Sequence, residues 1–184
     1  VNGWCMGGGH ELALWCDLVI ASENAVLGQT GARVGACPTV GATQYLPRII
    51  GERLAREMIF CARRFSAKEA VEIGLINKCV PQSELRKETL AWCETIKGHS
   101  PQTIRMTKKS LNAESDALYG SWQHGMELLA HVWGSEESLE GMDAFLAGRK
   151  PDFQKFRMRN KRELEDYLEG CAQDLNAPPS MRRK

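Results

Sequence analysis

The sequence predicts an α/β fold in which short buried strands and helices alternate over residues 1–82 and helices alone follow. Three observations predict it. Apolar runs at Leu18 to Ala21, Ala25 to Gly28 and Leu75 to Val80 are too brief for helices and read as strands. Three consecutive glycines, Gly7 to Gly9, open a helical stretch that carries a glutamate one turn in. From Ser83 onward, apolar residues recur at helical spacing almost without a break.

Taken in order, the first helix follows the glycines and precedes the strand at Leu18 to Ala21. After the run at Ala25 to Gly28, the glycines at 28, 31, 35 and 41, with Pro38 among them, predict a series of turns. Helices are expected from Gly41 to Arg48 and from Glu52 to Arg63, the second with an apolar stripe of Leu54, Ala55, Met58 and Ile59. Ser66 followed by Glu69 is a capping box that starts a helix toward Gly74. Ser83 is expected to cap a helix ending near Gly98, and Ser100 before Pro101 to start the next. Leu118, Trp122, Met126, Leu129 and Trp133 form a long stripe, and Leu139, Met142, Phe145 and Leu146 a second one after Ser135. Core packing is the ordinary use of such stripes. Residues 159–184 are charged and contain Pro178–Pro179, which predicts a short solvated helix and a flexible tail.

The glycine run is the first candidate site. N–H groups at a helix start carry partial positive charge, and glycine lets a substrate oxygen reach them without a Cβ in the way. Gly8 is the expected donor. Glu11, three residues on, falls on the same face, so one turn would hold an oxyanion donor and a general acid or base. The same residues admit another use: glycines for close backbone packing, and a glutamate that complements the helix dipole. His10 adjoins the run, either lining the site or packed in its surroundings.

Composition narrows the function classes. Lys and Arg total 24 against 23 Asp and Glu, a net charge of +1 that gives no general field for nucleic acid or membrane. The basic clusters RMRNKR and MRRK read as solvated tail, and no apolar run reaches the ~18 residues of a membrane span. Seven cysteines without a CxxC pair suit neither a zinc site nor a disulfide framework, and read as reduced, mostly buried thiols in a cytoplasmic protein. No metal site is expected.

VNG at the start, GGGHELAL, the CDLVIAS that follows, GQTG at Gly28 to Gly31 and GATQYLPRIIG from Gly41 to Gly51 together resemble the crotonase (enoyl-CoA hydratase/isomerase) superfamily. The match continues through FSAKEAVEIGLINKCVP and, more loosely, to about Phe156. Several motifs in order are far more specific than any one of them. The resemblance implies a crotonase-like ββα spiral core, with residues 1–82 forming its C-terminal part and roughly the first third of the family's domain expected before Val1. It implies that residues 83–158 form a helical region through which subunits assemble as trimers, commonly paired into hexamers. The chemistry implied is an acyl-CoA thioester held at the Gly8 N–H, with coenzyme A entering as part of the substrate and no permanently bound cofactor. The second oxyanion donor and much of the CoA pocket would come from the part before Val1. Glu11 takes the place of a family acid or base, and Gly7, Gln29, Thr30 and Gly31 would line the pocket.

Hydratases of this superfamily carry a second glutamate in a Pro-Glu pair where this chain has Thr30 and Gly31. The GQTG segment instead is similar to 1,4-dihydroxy-2-naphthoyl-CoA synthases, as are SPQTIRMTKKSLNAESD and GRKPDFQKF. In one branch of those enzymes that segment helps hold a bicarbonate base, which would map onto Gln29, Thr30 and Gly31. They usually have an apolar residue at the Glu11 position, an aspartate at Pro38 and a tyrosine at Trp133, and the bicarbonate branch has an aromatic near Gly41. Ring-opening hydrolases of 6-oxocyclohexene-carbonyl-CoA resemble the chain in keeping the glutamate, a GQxG segment, and GAT followed by LP. The expected function is therefore a lyase that adds water to an enoyl-CoA. Naphthoyl-CoA synthase ring closure, ring-opening hydrolysis and a non-catalytic CoA-ester binding subunit are the alternatives.

Overall fold

A computed structural model of the chain describes residues 1–157 together with 165, 168 and 169; the helix and tail expected over 159–184 otherwise lie outside the described residues. The elements run β1 (Trp4–Met6), α1 (Gly8–Leu14), β2 (Ile20–Ser22), β3 (Val26–Gly28), α2 (Gly31–Val34), α3 (Ala42–Ile50), α4 (Glu52–Phe60), β4 (Arg64–Ser66), α5 (Ala67–Glu72) and β5 (Lys78–Val80). A 3-10 turn at Gln82–Glu84 leads to α6 (Leu85–Lys97), α7 (Pro101–Asp116), α8 (Tyr119–Val132) and α9 (Glu136–Leu146). This is the mixed α/β architecture expected, mostly helical with few strands.

The strands form two small sheets. β1 and β3 are parallel neighbours, with Trp4 opposite Val26, Cys5 opposite Leu27 and Met6 opposite Gly28. β4 joins the free side of β3 antiparallel, placing Phe65 opposite Leu27. β2 and β5 pair in parallel, Ala21 opposite Cys79. Parallel strands need crossover connections, and α1 lies in the one that joins β1 to its parallel neighbour β3. The core where these layers meet contains Leu27, Leu46, Met58 and Phe65, all essentially inaccessible.

Several local expectations hold in detail. Ser66 Oγ accepts from Glu69 N–H at 3.3 Å while the Glu69 carboxylate accepts from Ser66 N–H at 2.8 Å, a complete capping box. Ser100 caps α7 through Thr103 N–H, with Pro101 in its first turn. Other expectations need correction. Ser83 does not cap a helix: it lies inside the 3-10 turn, and α6 starts two residues later with no side-chain cap. α4 stops at Phe60 rather than Arg63, because Ala62 adopts a left-handed φ of 48° as the chain turns back into β4. β4 itself and the short α2 carry too few residues to show a period.

The apolar stripe on α9 is not its buried face. Phe145 is 72% and Leu146 83% exposed, while Ser138, Gly141 and Ala144 are buried. Small residues win there because α9 lies almost backbone to backbone on α2: a Cβ on Gly141 would stand 2.5 Å from Val34 O and 2.7 Å from Gly35 N. On α8, Trp133 at the end of the stripe is likewise 61% exposed. Among the six described cysteines, all unpaired, only Cys5 is buried. Among the described residues no helix is long and apolar enough to cross a membrane.

Candidate active site

β1 ends at Met6, and Gly7 turns the chain into α1 with φ 53° and ψ −122°, a conformation that favours glycine. Gly7 N–H donates to Gly28 O at 3.0 Å, which keeps the start of α1 beside the end of β3. Gly8 and Gly9 follow as exposed helical residues, and a Cβ on either would meet nothing within 4 Å. Among the described residues no acceptor is bonded to the Gly8 N–H. The first turn of α1 thus offers open backbone donors with no side chain shielding them.

Glu11 sits on that same turn and is only 6% exposed. Its Oε1 accepts from Val40 N–H at 2.8 Å. Burial pushes the Glu11 carboxyl above its ordinary range, and hydrogen bonds from the Val40 and Ala42 amides draw it part of the way back. One peptide therefore orients the carboxylate, and the same residue is held from its other side: Trp15 Nε1–H, one turn along α1, donates to Val40 O at 3.1 Å. Trp15 also meets the Tyr45 ring edge-on, with centroids 4.8 Å apart. Gly41 starts α3 with φ 102°, and a Cβ there would lie 2.8 Å from the Trp15 indole nitrogen. A carboxyl with a raised pKa beside open N–H donors can take or give a proton near a developing oxyanion.

The GQTG segment contributes differently from its sequence reading. The Thr30 hydroxyl lies against Gly7, 3.3 Å from where a Cβ would stand. Gly31 opens α2 and is buried; a Cβ on it would collide with Ala36 O and come within 3.1 Å of Pro38 Cδ. The position at which hydratases carry their second glutamate therefore has no room for a side chain on this backbone. Gln29 is 1% exposed and turned inward, its Nε2 bonded to His10 Nδ1 at 2.9 Å. Among the described residues its Oε1 has no partner, nor has His10 Nε2. Burial lowers the His10 pKa to about 4, so the imidazole is neutral at neutral pH.

The structure thus brings Gly7, Gly8, Glu11 and Thr30 around one turn, with Gln29 and Gly31 behind it. Val40, Ala42 and Trp15 were not legible as site residues. Two act through backbone amides that leave no mark in the side-chain pattern; Trp15, four residues after Glu11, could have been flagged by spacing. Among the described residues no group of three or more His, Cys, Asp or Glu could hold a metal ion.

The chain matches a family model described as enoyl-CoA hydratase/isomerase over residues 1–157. It is similar to a solved enoyl-CoA hydratase from Mycobacterium avium subsp. paratuberculosis, with a TM-score of 0.80 and 28% identity, covering 83% of this chain and 63% of that one. A carnitinyl-CoA hydratase from Mycobacterium avium gives a TM-score of 0.80 and 30% identity, covering 84% of this chain and 61% of that one. Another enoyl-CoA hydratase from Mycobacterium paratuberculosis is 34% identical with a TM-score of 0.68, covering 72% of this chain and 60% of that one. The chain thus spans about three fifths of the length of these structures.

Proposed function

We propose, from the premise that this chain belongs to the enoyl-CoA hydratase/isomerase family, that it acts on an acyl-CoA thioester through an oxyanion-stabilised enolate and adds water to an enoyl-CoA. The observation that carries this reading is the buried Glu11 carboxyl, held by the Val40 and Ala42 amides one turn from the open Gly8 N–H. In this mechanism the thioester oxygen accepts from Gly8 N–H. Glu11 takes a proton from water, whose hydroxyl adds to the β-carbon while negative charge moves onto the thioester oxygen. The enolate then collapses as Cα takes a proton back from Glu11. One such donor is typically worth ~10²–10³ in rate. A single carboxyl serves for both transfers, since Gly31 leaves no space for a second.

Two observations keep other readings of the same scaffold in play. The GQTG segment and the C-terminal stretches support ring closure of the naphthoyl-CoA synthase kind. Glu11 together with GQTG supports ring-opening hydrolysis. No step is routed through bicarbonate, because the Gln29 side chain is buried and turned onto His10 rather than into the pocket. A non-catalytic CoA-ester binding subunit is the remaining alternative, and a buried carboxyl with a raised pKa argues against it.

We place the trimer or hexamer contacts on the helical region of residues 83–158, supported by the exposed Trp133, Leu139, Phe145 and Leu146. The six described cysteines, all unpaired, support a cytoplasmic location. The test is to incubate the whole protein with crotonyl-CoA, a cyclic enoyl-CoA and succinylbenzoyl-CoA and to resolve the products by mass. Gain of one water without ring opening supports the hydratase reading. Loss of water from succinylbenzoyl-CoA would replace it with the synthase, and binding without mass change would leave only the binding subunit.

A further inference from the structure

The start of α1 has little to hold it in place. The helix is seven residues long, no side chain caps it, and glycines occupy its N-cap and first two positions. Among the described residues nothing lies within 4 Å of where a Cβ on Gly8 or Gly9 would stand. Yet the proposed reaction needs the Gly8 N–H and the Glu11 carboxyl in one fixed relation. Among the described residues the attachments of this turn include Gly7 N–H on Gly28 O, a Cys5 thiol on Gly9 O, Thr30 against Gly7, the Glu11 contacts themselves, and the side-chain bond that Gln29 Nε2 donates to His10 Nδ1.

That last bond is unusual in its cost. His10 and Gln29 are both 1% exposed, and each leaves a second polar atom, His10 Nε2 and Gln29 Oε1, with no partner among the described residues. An unpaired buried polar atom destabilises a fold, and two apolar side chains of similar shape would fill the same space without that penalty. What an apolar pair would lack is direction. A hydrogen bond between an imidazole and a carboxamide fixes the distance and the angle between the two segments that carry them, whereas apolar contact tolerates sliding.

We infer that His10 and Gln29 are positioning residues: their buried bond sets the first turn of α1 against the end of β3, and so holds Gly8 and Glu11 in register with Thr30. The inference rests on the reading that Gly8 and Glu11 carry the reaction. His10 lies between them in the sequence, and Gln29 lies between Gly28, which receives the Gly7 N–H, and Thr30, which packs on Gly7. Neither residue touches substrate in this role. Gln29 acts from behind the turn rather than from the pocket.

The experiment compares the whole protein with His10→Leu/Gln29→Met, His10→Asn and Glu11→Gln, using crotonyl-CoA hydration for kcat and KM and thermal melting for stability. The double variant is expected to melt at or above the wild-type temperature while kcat falls about tenfold or more at little-changed KM. His10→Asn keeps an acceptor in the Nδ1 position and is expected to stay within about threefold of wild-type kcat. A kcat loss that tracks a lower melting temperature would make the pair merely structural, and an unchanged kcat in the double variant would overturn the inference. Glu11→Gln separates the two layers: if it turns over normally, the reading of Glu11 falls and the inference with it; if it is inactive, the double variant judges the His10–Gln29 bond alone.

Discussion

As pH falls below 6.5, the buried His10 should cost this protein stability. Burial holds its imidazole at about 4, where an exposed histidine titrates at 6.5. The unfolded chain therefore takes up a proton as pH falls through 6.5, while the native state refuses it until about 4. Stability is complete above 6.5 and drains away over that window. At ~1.4 kcal/mol per tenfold in proton affinity, the full gap is worth about 3 kcal/mol, most of it lost by pH ~4.5. Glu11 works in the opposite sense. Its native pKa is raised above 4.5, so the folded state holds a proton the unfolded state has released, and acidification through that range relieves it. Urea unfolding of wild type and His10→Asn at pH 7 and pH 4.5 separates the two, since Glu11 is common to both. The wild-type midpoint should fall by about 1 M more than that of His10→Asn. Parallel losses in the two proteins would refute the assignment of the acid sensitivity to this buried imidazole.

Gly141→Ala places a Cβ against Val34 O and Gly35 N, and should destabilise the α2–α9 contact by about 1–3 kcal/mol, read as a lower urea midpoint. Gly31→Glu supplies the second carboxylate that hydratases carry, but its Cβ would strike Ala36 O. The expected outcome is loss of stability with no gain in hydration rate, checked by melting and by crotonyl-CoA turnover. The raised pKa of Glu11 should appear as an acidic limb of the kcat/KM profile lying above 4.5, and the limb should disappear in Glu11→Gln.

Much of the fold was legible because its signals are local. The Ser66–Glu69 box and the Ser100–Pro101 start depend on a few neighbouring residues and are present, and the strands expected at Leu18 to Ala21 and Ala25 to Gly28 appear, shifted and shortened, at Ile20–Ser22 and Val26–Gly28. β4 escaped because three residues cannot display alternation, and its pairing with β3 is a contact across the chain. The α9 stripe misled for a related reason. Hydrophobicity says which residues prefer burial, but the close approach of α2 selects Gly141 and Ala144 for size, leaving Phe145 outside. At the site, Glu11 and the glycines were readable from spacing. The Val40 and Ala42 amides were not, since backbone donors from a distant loop leave no pattern, and Gln29 could not be seen to face His10 rather than the pocket.

The most direct measurement is crotonyl-CoA hydration by wild type and Glu11→Gln, with CoA-ester binding followed in the same preparations. General acid–base catalysis by one carboxyl predicts a fall in kcat of about 10²–10⁴ with binding retained. Equal turnover by the two proteins would contradict the assignment of Glu11, and with it the chemistry built on this turn.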